Sequence, residues 1–243
     1  MTFKYNKIEI IALSKKGVKN KVNEDRYITN TLKNNSELLA VSDGMGGEPA
    51  GDVASELAIS SIKKVEEIPD SNECDFLSEF LIKADEKIAA FSDNKPGCEG
   101  MGTTMTCVLI KKNTLYWAHV GDSRIYVNKN GNLMQITKDQ TLGQFLLEEG
   151  EITEKELTSH YSSNILDQCL GHGEIEPETG SITLKKGDHI LLSTDGIHKK
   201  LNNNKIEEIL NSDKETLLKA EELITKSLEA GSNDDITLIL VTI

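Results

Sequence analysis

Two periods of apolar residues alternate along the chain, and they predict which segments are strands and which are helices. Short apolar runs rich in β-branched side chains predict strands at 8–13, 26–31, 38–41, 103–110, 115–120, 124–128, 133–136, 179–184, 188–193 and 236–243. Spacings of three and four predict helices instead. One set is Ala54, Leu57, Ala58, Ile62 and Val65, with Pro49 opening a helix over 49–66; a second is Leu77, Leu81, Ala84 and Ile88; a third is Leu217, Ala220, Ile224 and Leu228. Asp70 with Glu73 has the spacing of a capping box and predicts a helix running to about residue 91, and Ser212 with Glu215 predicts the start of the last helix.

The strands between 103 and 136 are joined by Lys-Lys-Asn, Gly-Asp-Ser and Lys-Asn-Gly-Asn, connections that predict antiparallel hairpins. A helix pair followed by a meander is an α+β order. Residues 141–178 interrupt it. Leu142, Phe145 and Leu146 predict a short helix, Thr153 with Glu156 another capping box, and Ile165, Leu166 and Leu170 a further helical piece before Gly171-His172-Gly173. An insertion of this length between strands is the kind that serves as a lid or binding loop.

Composition narrows the picture. The 243 residues include four prolines and no linker-like or low-complexity run, so one domain spanning 1–243 is expected. No apolar run approaches the ~18 residues needed to cross a membrane, and residues 1–7 lack the apolar stretch of a secretory signal, so a cytoplasmic protein is expected. Net charge is −13, from 40 acidic and 27 basic residues, which argues against nucleic acid or an anionic membrane as partner. Cys74, Cys98, Cys107 and Cys169 show neither a CxxC pair nor zinc spacing with the histidines, and are expected as buried or idle thiols.

The acidic excess has a pattern. Carboxylates stand repeatedly at strand ends: Glu24 and Asp25 before the strand at 26, Asp43 ahead of Gly44-Met45-Gly46-Gly47, Asp122 in Gly-Asp-Ser, Asp195 in Ser-Thr-Asp-Gly, and Asp234 with Asp235 before the last strand. Alternation points Glu24 and Asp25 to opposite faces, one toward a site and the other supporting it from behind. Glycines beside Asp43 let backbone approach an ion or a phosphate closely. With no Cys/His cluster, such a set favours a hard cation, magnesium or manganese, in an oxygen-ligand site. Of the histidines, His119, His160, His172, His189 and His198, each is expected in a packing or surface role, with His198 nearest the presumed metals; Trp117 is expected in the core.

In order, the chain carries Asn-Glu-Asp at 23–25, Asp-Gly-Met-Gly-Gly at 43–47, Met-Gly-Thr-Thr at 101–104 and Val-Gly-Asp-Ser-Arg at 120–124. Thr-Lys-Asp-Gln at 137–140, Gly-Glu-Ile-Thr at 150–153, Ser-Thr-Asp-Gly at 193–196 and Asn-Asp-Asp-Ile-Thr at 233–237 follow. This series resembles the metal-dependent PPM-type phosphatases, the protein phosphatase 2C family, in their short single-domain bacterial form. The resemblance implies an α-β-β-α four-layer sandwich, two antiparallel sheets flanked by helices, with the 141–178 segment as a helical flap over the cleft. It implies hydrolysis of phosphoserine and phosphothreonine in proteins by water shared between two Mn2+ or Mg2+ ions, in opposition to Ser/Thr kinases. Carried over by motif, Asp43 bridges both metals, Asp195 and Asp234 complete one site, and Glu24 with the Gly44 carbonyl holds the other. Asp25 orients water from behind, and Asp122 joins Asp195 around a third, weaker metal.

Several positions depart from the pattern. Asn20 stands where the family usually has an arginine that grips the substrate phosphate, and the adjacent Lys19 and Lys21 lack its bidentate geometry. Weaker phosphate binding, seen as a raised KM, is the expectation. Met45 occupies a position where many relatives carry histidine, and Asp235 one where asparagine is common, so that Asp234 is the ligand by motif register. The expected partners are phosphorylated proteins, including a cognate Ser/Thr kinase and its targets. Two other functions fit the same motifs less well: a catalytically weak phosphoprotein-binding module, which Asn20 favours, and a small-phosphoester hydrolase.

Overall fold

The computed structural model describes residues 8–18, 20–45, 50–157 and 160–243. Among these residues, two five-stranded antiparallel sheets form. The first holds β1 (Glu9–Lys15), β10 (Ile236–Thr242), β9 (His189–Ser193), β6 (Arg124–Lys129) and β7 (Asn132–Gln135), in that spatial order. The second holds β2 (Asp25–Thr31), β3 (Glu37–Asp43), β4 (Met105–Lys111), β5 (Thr114–Val120) and β8 (Glu178–Thr183).

Side-chain alternation makes each sheet apolar on both faces. On β3, Leu39 and Val41 point inward and meet Val108, Ile110 and Trp117 of their own sheet and Ile125, Val127, Leu192, Ile239 and Val241 of the other. The intervening Leu38 and Ala40 point outward, against Ala54, Ala58 and Ile62 of α1 (Gly51–Ile62) and Leu77, Leu81 and Ile88 of α2 (Glu73–Asn94). On the far side, Tyr126, Leu191, Leu238 and Leu240 face α6 (Asn203–Leu210) and α7 (Thr216–Glu229). Burial on both faces explains why these strands are continuous apolar runs rather than alternating ones. The result is the expected four-layer sandwich.

Local differences from the sequence expectations have identifiable causes. The Gly-Asp-Ser segment is no hairpin, because β5 and β6 belong to different sheets and residues 121–123 cross between them. Gly121 makes the crossing with φ +110, and a Cβ there would lie 2.6 Å from Thr104 Cγ2, so only glycine fits. Asp70 and Glu73 do not cap α2; both pair with the buried Lys111 at the end of β4, which attracts carboxylates more strongly than a helix terminus does. Ser212 closes α6 by donating to Ile209 O (2.8 Å) instead of opening α7. Helix α6 is itself unforeseen, although Asn202 caps it by accepting from Lys205 N and Ile206, Ile209 and Leu210 give it a buried face.

In the insertion, α3 (Leu142–Glu148) forms as expected, and Thr153 and Glu156 cap α4 (Glu154–Leu157) reciprocally, at 2.8 and 3.3 Å. The stretch from 165 to 170 is extended, not helical, because Leu166 bridges to Thr141 and Leu170 to Thr103. Helix α1 ends at Ile62 rather than 66, and Pro49, expected to open it, lies outside the described residues.

Candidate active site

The strand ends that carry carboxylates converge at one end of the sandwich. Strand β3 ends at Asp43, directly opposite Asp25 at the start of β2. Asp122 sits in the crossover between sheets, Asp195 opens the single turn α5 (Asp195–His198) after β9, and Asp234 precedes β10. Two adjoining cavities of about 500 and 760 Å3 meet there, both lined by Asp122, Asp195 and Asp234, the first also by Asp43.

Backbone bracing fixes Asp43 in place. Its N–H donates to Thr104 Oγ1 (3.0 Å), and its carbonyl accepts from Thr104 N (2.8 Å) and Thr103 Oγ1 (2.8 Å). Thr103 Oγ1 also bonds Ser42 Oγ (2.7 Å), and Thr104 Oγ1 bonds Ser123 Oγ (2.9 Å) beside Asp122. The Met-Gly-Thr-Thr motif is therefore a strut beneath two carboxylates. Gly44 has no room for a side chain: a Cβ would lie 2.3 Å from Gly51 O and 2.9 Å from Glu24 O, while its N–H donates to that Glu24 carbonyl (3.2 Å).

Electrostatically the cluster is strained by its own charge. Burial, then Asp25, Asp195, Asp122 and Asp234, push Asp43 well above the usual carboxylate range. Asp25 rises to about 7, through burial against the opposing hydrogen bonds of Thr237 and Thr194, and Asp122 also to about 7, through burial and then Asp195. Asp234 and Glu24 are raised as well, by burial first and neighbouring carboxylates second.

The two adjacent aspartates at 234 and 235 divide their roles. Asp235 is buried and accepts from the N–H groups of Gly17 (2.6 Å) and Glu24 (2.7 Å), clamping the loop before β2. Asp234 lines both cavities. Asp25 accepts from Thr194 Oγ1 at 2.8 Å through one oxygen. Its other oxygen, Asp25 Oδ1, and Asp195 Oδ1 are buried without hydrogen-bond partners among the described residues.

Sequence reasoning did not single out the cation at this site. Lys199, four residues after Asp195 and so one helical turn on, pairs with Asp195 Oδ2 and lies 3.7 Å from Asp122 Oδ2. Although burial disfavours its charge, Asp195 and Asp122 outweigh that and raise its pKa. Beneath the second cavity, Arg124 grips Asp139 with two bonds of 2.8 and 2.6 Å, an ion pair that joins the Asp-Ser-Arg and Lys-Asp-Gln motifs. Burial, then Arg124 and Lys199, hold the His198 pKa well below the usual range. His119 is a packing residue, bonded to Thr106 Oγ1 (2.7 Å) and Lys138 O (3.2 Å).

Of the residues considered for phosphate, Asn20 and Lys21 line neither cavity. Lys16 Nζ donates to the Asn20 carbonyl at 2.6 Å, Lys21 is exposed, and Lys19 lies outside the described residues. The outer wall of the first cavity comes instead from the inserted segment, through Asn164 to Cys169 and His172 to Ile175. Asp85 on α2 holds that wall's end by accepting from Gly171 N (2.7 Å) and Gly173 N (3.2 Å).

Among the described residues, no three of these side chains close around a single point to form a finished ion cage. The donor set nonetheless fits a hard cation. It is made of carboxylates without thiolate or imidazole, its like charges raise one another's pKa, and two of its oxygens are buried and unsatisfied. No helix among the described residues is long and apolar enough to cross a membrane.

Known proteins with this arrangement are recognisable in sequence and in three dimensions. The serine/threonine phosphatase stp of Listeria monocytogenes is 34% identical over 225 residues, covering 90% of this chain and 89% of that protein. Protein phosphatase PhpP of Streptococcus pneumoniae is 32% identical over 240 residues, 97% of each chain. The catalytic domain of the phosphatase PstP, solved in complex with two manganese ions, superposes with a TM-score of 0.84 at 33% identity, covering 97% of both chains. A sequence model described as protein phosphatase 2C matches residues 15–230, and the chain belongs to that family.

Proposed function

We propose that this protein is a serine/threonine protein phosphatase that hydrolyses phosphoserine and phosphothreonine with the aid of two Mn2+ or Mg2+ ions. The observation that carries the reading is the convergence of Asp43, Asp122, Asp195 and Asp234 on one cleft, where the carboxylates outnumber the lining lysines, Lys199 and Lys200. Relatives named as serine/threonine phosphatases, and a neighbour solved with two manganese ions, support it.

In this reading Asp43 would help hold both ions, Asp195 and Asp234 would hold one of them with it, and Glu24 and the Gly44 carbonyl the other. When bound, the ions neutralise the phosphoryl oxygens and make water a better nucleophile at neutral pH. The chain's own residues do the rest. Thr103 and Thr104 fix Asp43, Asp235 fixes Glu24 through its N–H, and Asp25 stands behind the site on its bond from Thr194. The inserted segment walls the cleft, so that a phosphorylated side chain is flanked by Leu166, Asp167 and Ile175. Met45 also lines the cleft and carries no proton for the leaving oxygen, which takes one from water. The protein acts in the cytoplasm, opposite a Ser/Thr kinase whose products are its substrates.

Substrate comparison tests the activity. Phosphate release from phosphothreonine peptides, outpacing release from phosphotyrosine peptides and p-nitrophenyl phosphate at equal concentration in Mn2+, is expected. Preference for the small ester would make the protein a general phosphoesterase.

A further inference from the structure

The floor of the cleft has a cation of its own. Lys199 follows Asp195 by one helical turn, so its stem returns along the same face and its ammonium reaches Asp195 Oδ2. The same ammonium lies 3.7 Å from Asp122 Oδ2, and Lys199 lines both cavities with Asp122 and Asp195. These two carboxylates arrive from separate elements, the sheet-to-sheet crossover and the end of β9, and Lys199 stands where they converge.

An ammonium carries a full positive charge and three donors; this one bonds Asp195 Oδ2 and stands at ion-pair distance from Asp122 Oδ2. A divalent ion placed between Asp122 and Asp195 would need those same oxygens, at bond lengths of ~2.0–2.6 Å. It would then stand against a like charge that is covalently tethered and only one-third exposed, the side chain being 32% accessible. The two oxygens of Asp195 are used differently: Oδ2 is committed to Lys199, whereas Oδ1 is buried with no partner among the described residues and remains for another ligand.

We propose that the Lys199 ammonium is a built-in substitute for a metal ion between Asp122 and Asp195, so that this phosphatase takes two divalent ions and has no third site. The proposal rests on the two-metal reading above. It assigns the chain a permanent charge where a loosely held ion would come and go with metal concentration. The protein's response to manganese accordingly saturates in one range, without a second, weaker phase.

Counting bound Mn2+ on the full chain tests this, by equilibrium dialysis with metal analysis and by electron paramagnetic resonance of the free ion, alongside phosphate release from a phosphothreonine peptide. The unaltered protein is expected to hold two ions at saturation and Lys199→Met three, the added one weak. Lys199→Arg, which keeps the charge, is expected to stay at two, and Lys199→Met with Asp122→Asn to return to two. Three ions on the unaltered protein would overturn the proposal whether or not any variant folds. An unchanged count in a folded Lys199→Met protein would overturn it too. In both cases manganese-dependent phosphate release would persist and the phosphatase reading would stand. If the unaltered protein bound no divalent ion and released no phosphate, both would fall.

Discussion

Asp234 and Asp235 are neighbours with the same charge, and the structure assigns them opposite failures. Asp235 spends both oxygens on backbone donors, Gly17 N at 2.6 Å and Glu24 N at 2.7 Å, and is 3% exposed. Asparagine at 235 would keep one acceptor and turn an NH2 group toward the other N–H, leaving at least one buried donor unpaired. Hydrogen bonds to charged groups contribute ~1.5–3 kcal/mol each, and a domain of this size shifts ~2–4 °C per kcal/mol, so Asp235→Asn should melt ~3–12 °C lower. Asp234 makes no comparable buried clamp. Among the described residues it accepts from its neighbour's Asp235 N–H alone, at 2.9 Å, and otherwise faces the cavity among like charges. Asp234→Asn should therefore melt within a degree or two of the parent in EDTA, yet lose the Tm gain that Mn2+ gives and with it the activity. Thermal melts by circular dichroism, with EDTA and with saturating Mn2+, read both effects on the same samples. A parent-like melt for Asp235→Asn, combined with a large loss for Asp234→Asn in EDTA, would refute the division of roles.

Other residues give independent expectations. Asn20 lines neither cavity, so Asn20→Arg asks whether a longer, charged side chain reaches the substrate phosphate from there: a charge-assisted bond contributes ~1.5–3 kcal/mol, so KM for a phosphothreonine peptide should fall about tenfold or more with kcat little changed, and an unchanged or raised KM contradicts this. His119, buried between Thr106 and Lys138, has its pKa lowered to about 4, by burial first. Below its ordinary value of about 6.5 the unfolded chain binds a proton that the folded chain refuses, so stability from this group is lost as pH falls from about 6.5 toward 4, by up to ~3 kcal/mol. Comparing Tm against pH for the parent and His119→Gln should show a shallower acid slope in the variant, and equal slopes would remove His119 as the cause. Gly121→Ala forces a Cβ to 2.6 Å from Thr104 Cγ2 at φ +110, and should destabilise by more than ~1 kcal/mol in urea titration while displacing Asp122. An Ala variant as stable as the parent would contradict the strut described beneath Asp43 and Asp122.

Much of this site was legible in the chain because its carboxylates mark strand ends, where an apolar run stops at an Asp-Gly pair or begins after an Asp-Asp pair. Asp43, Asp195 and Asp234 announce themselves in that way. What alternation could not reveal was which strands share a sheet: Gly121-Asp122-Ser123 has the composition of a hairpin turn, yet it crosses between sheets. Lys199 was illegible for a related reason. Its i,i+4 spacing from Asp195 is an ordinary helical pair, and only the position of Asp122 on another element makes it part of the cleft. Capping signals failed where a stronger partner intervened, as Lys111 does for Asp70 and Glu73. They held at Thr153 and Glu156, which bond each other reciprocally across the first turn of α4. The extended path from 165 to 170 depends on pairing with Thr103 and Thr141, contacts that no local periodicity encodes.

The central claim is that the carboxylate cluster around Asp43 hydrolyses phosphothreonine with the help of divalent ions. The most direct measurement is phosphate release from a phosphothreonine peptide by the purified chain in Mn2+, in EDTA, and with Asp43→Asn and Asp195→Asn. Turnover that requires Mn2+ and falls at least a hundredfold in both variants, with folding intact by circular dichroism, is the predicted result. Turnover that survives EDTA, or that either variant retains in full, would contradict the account.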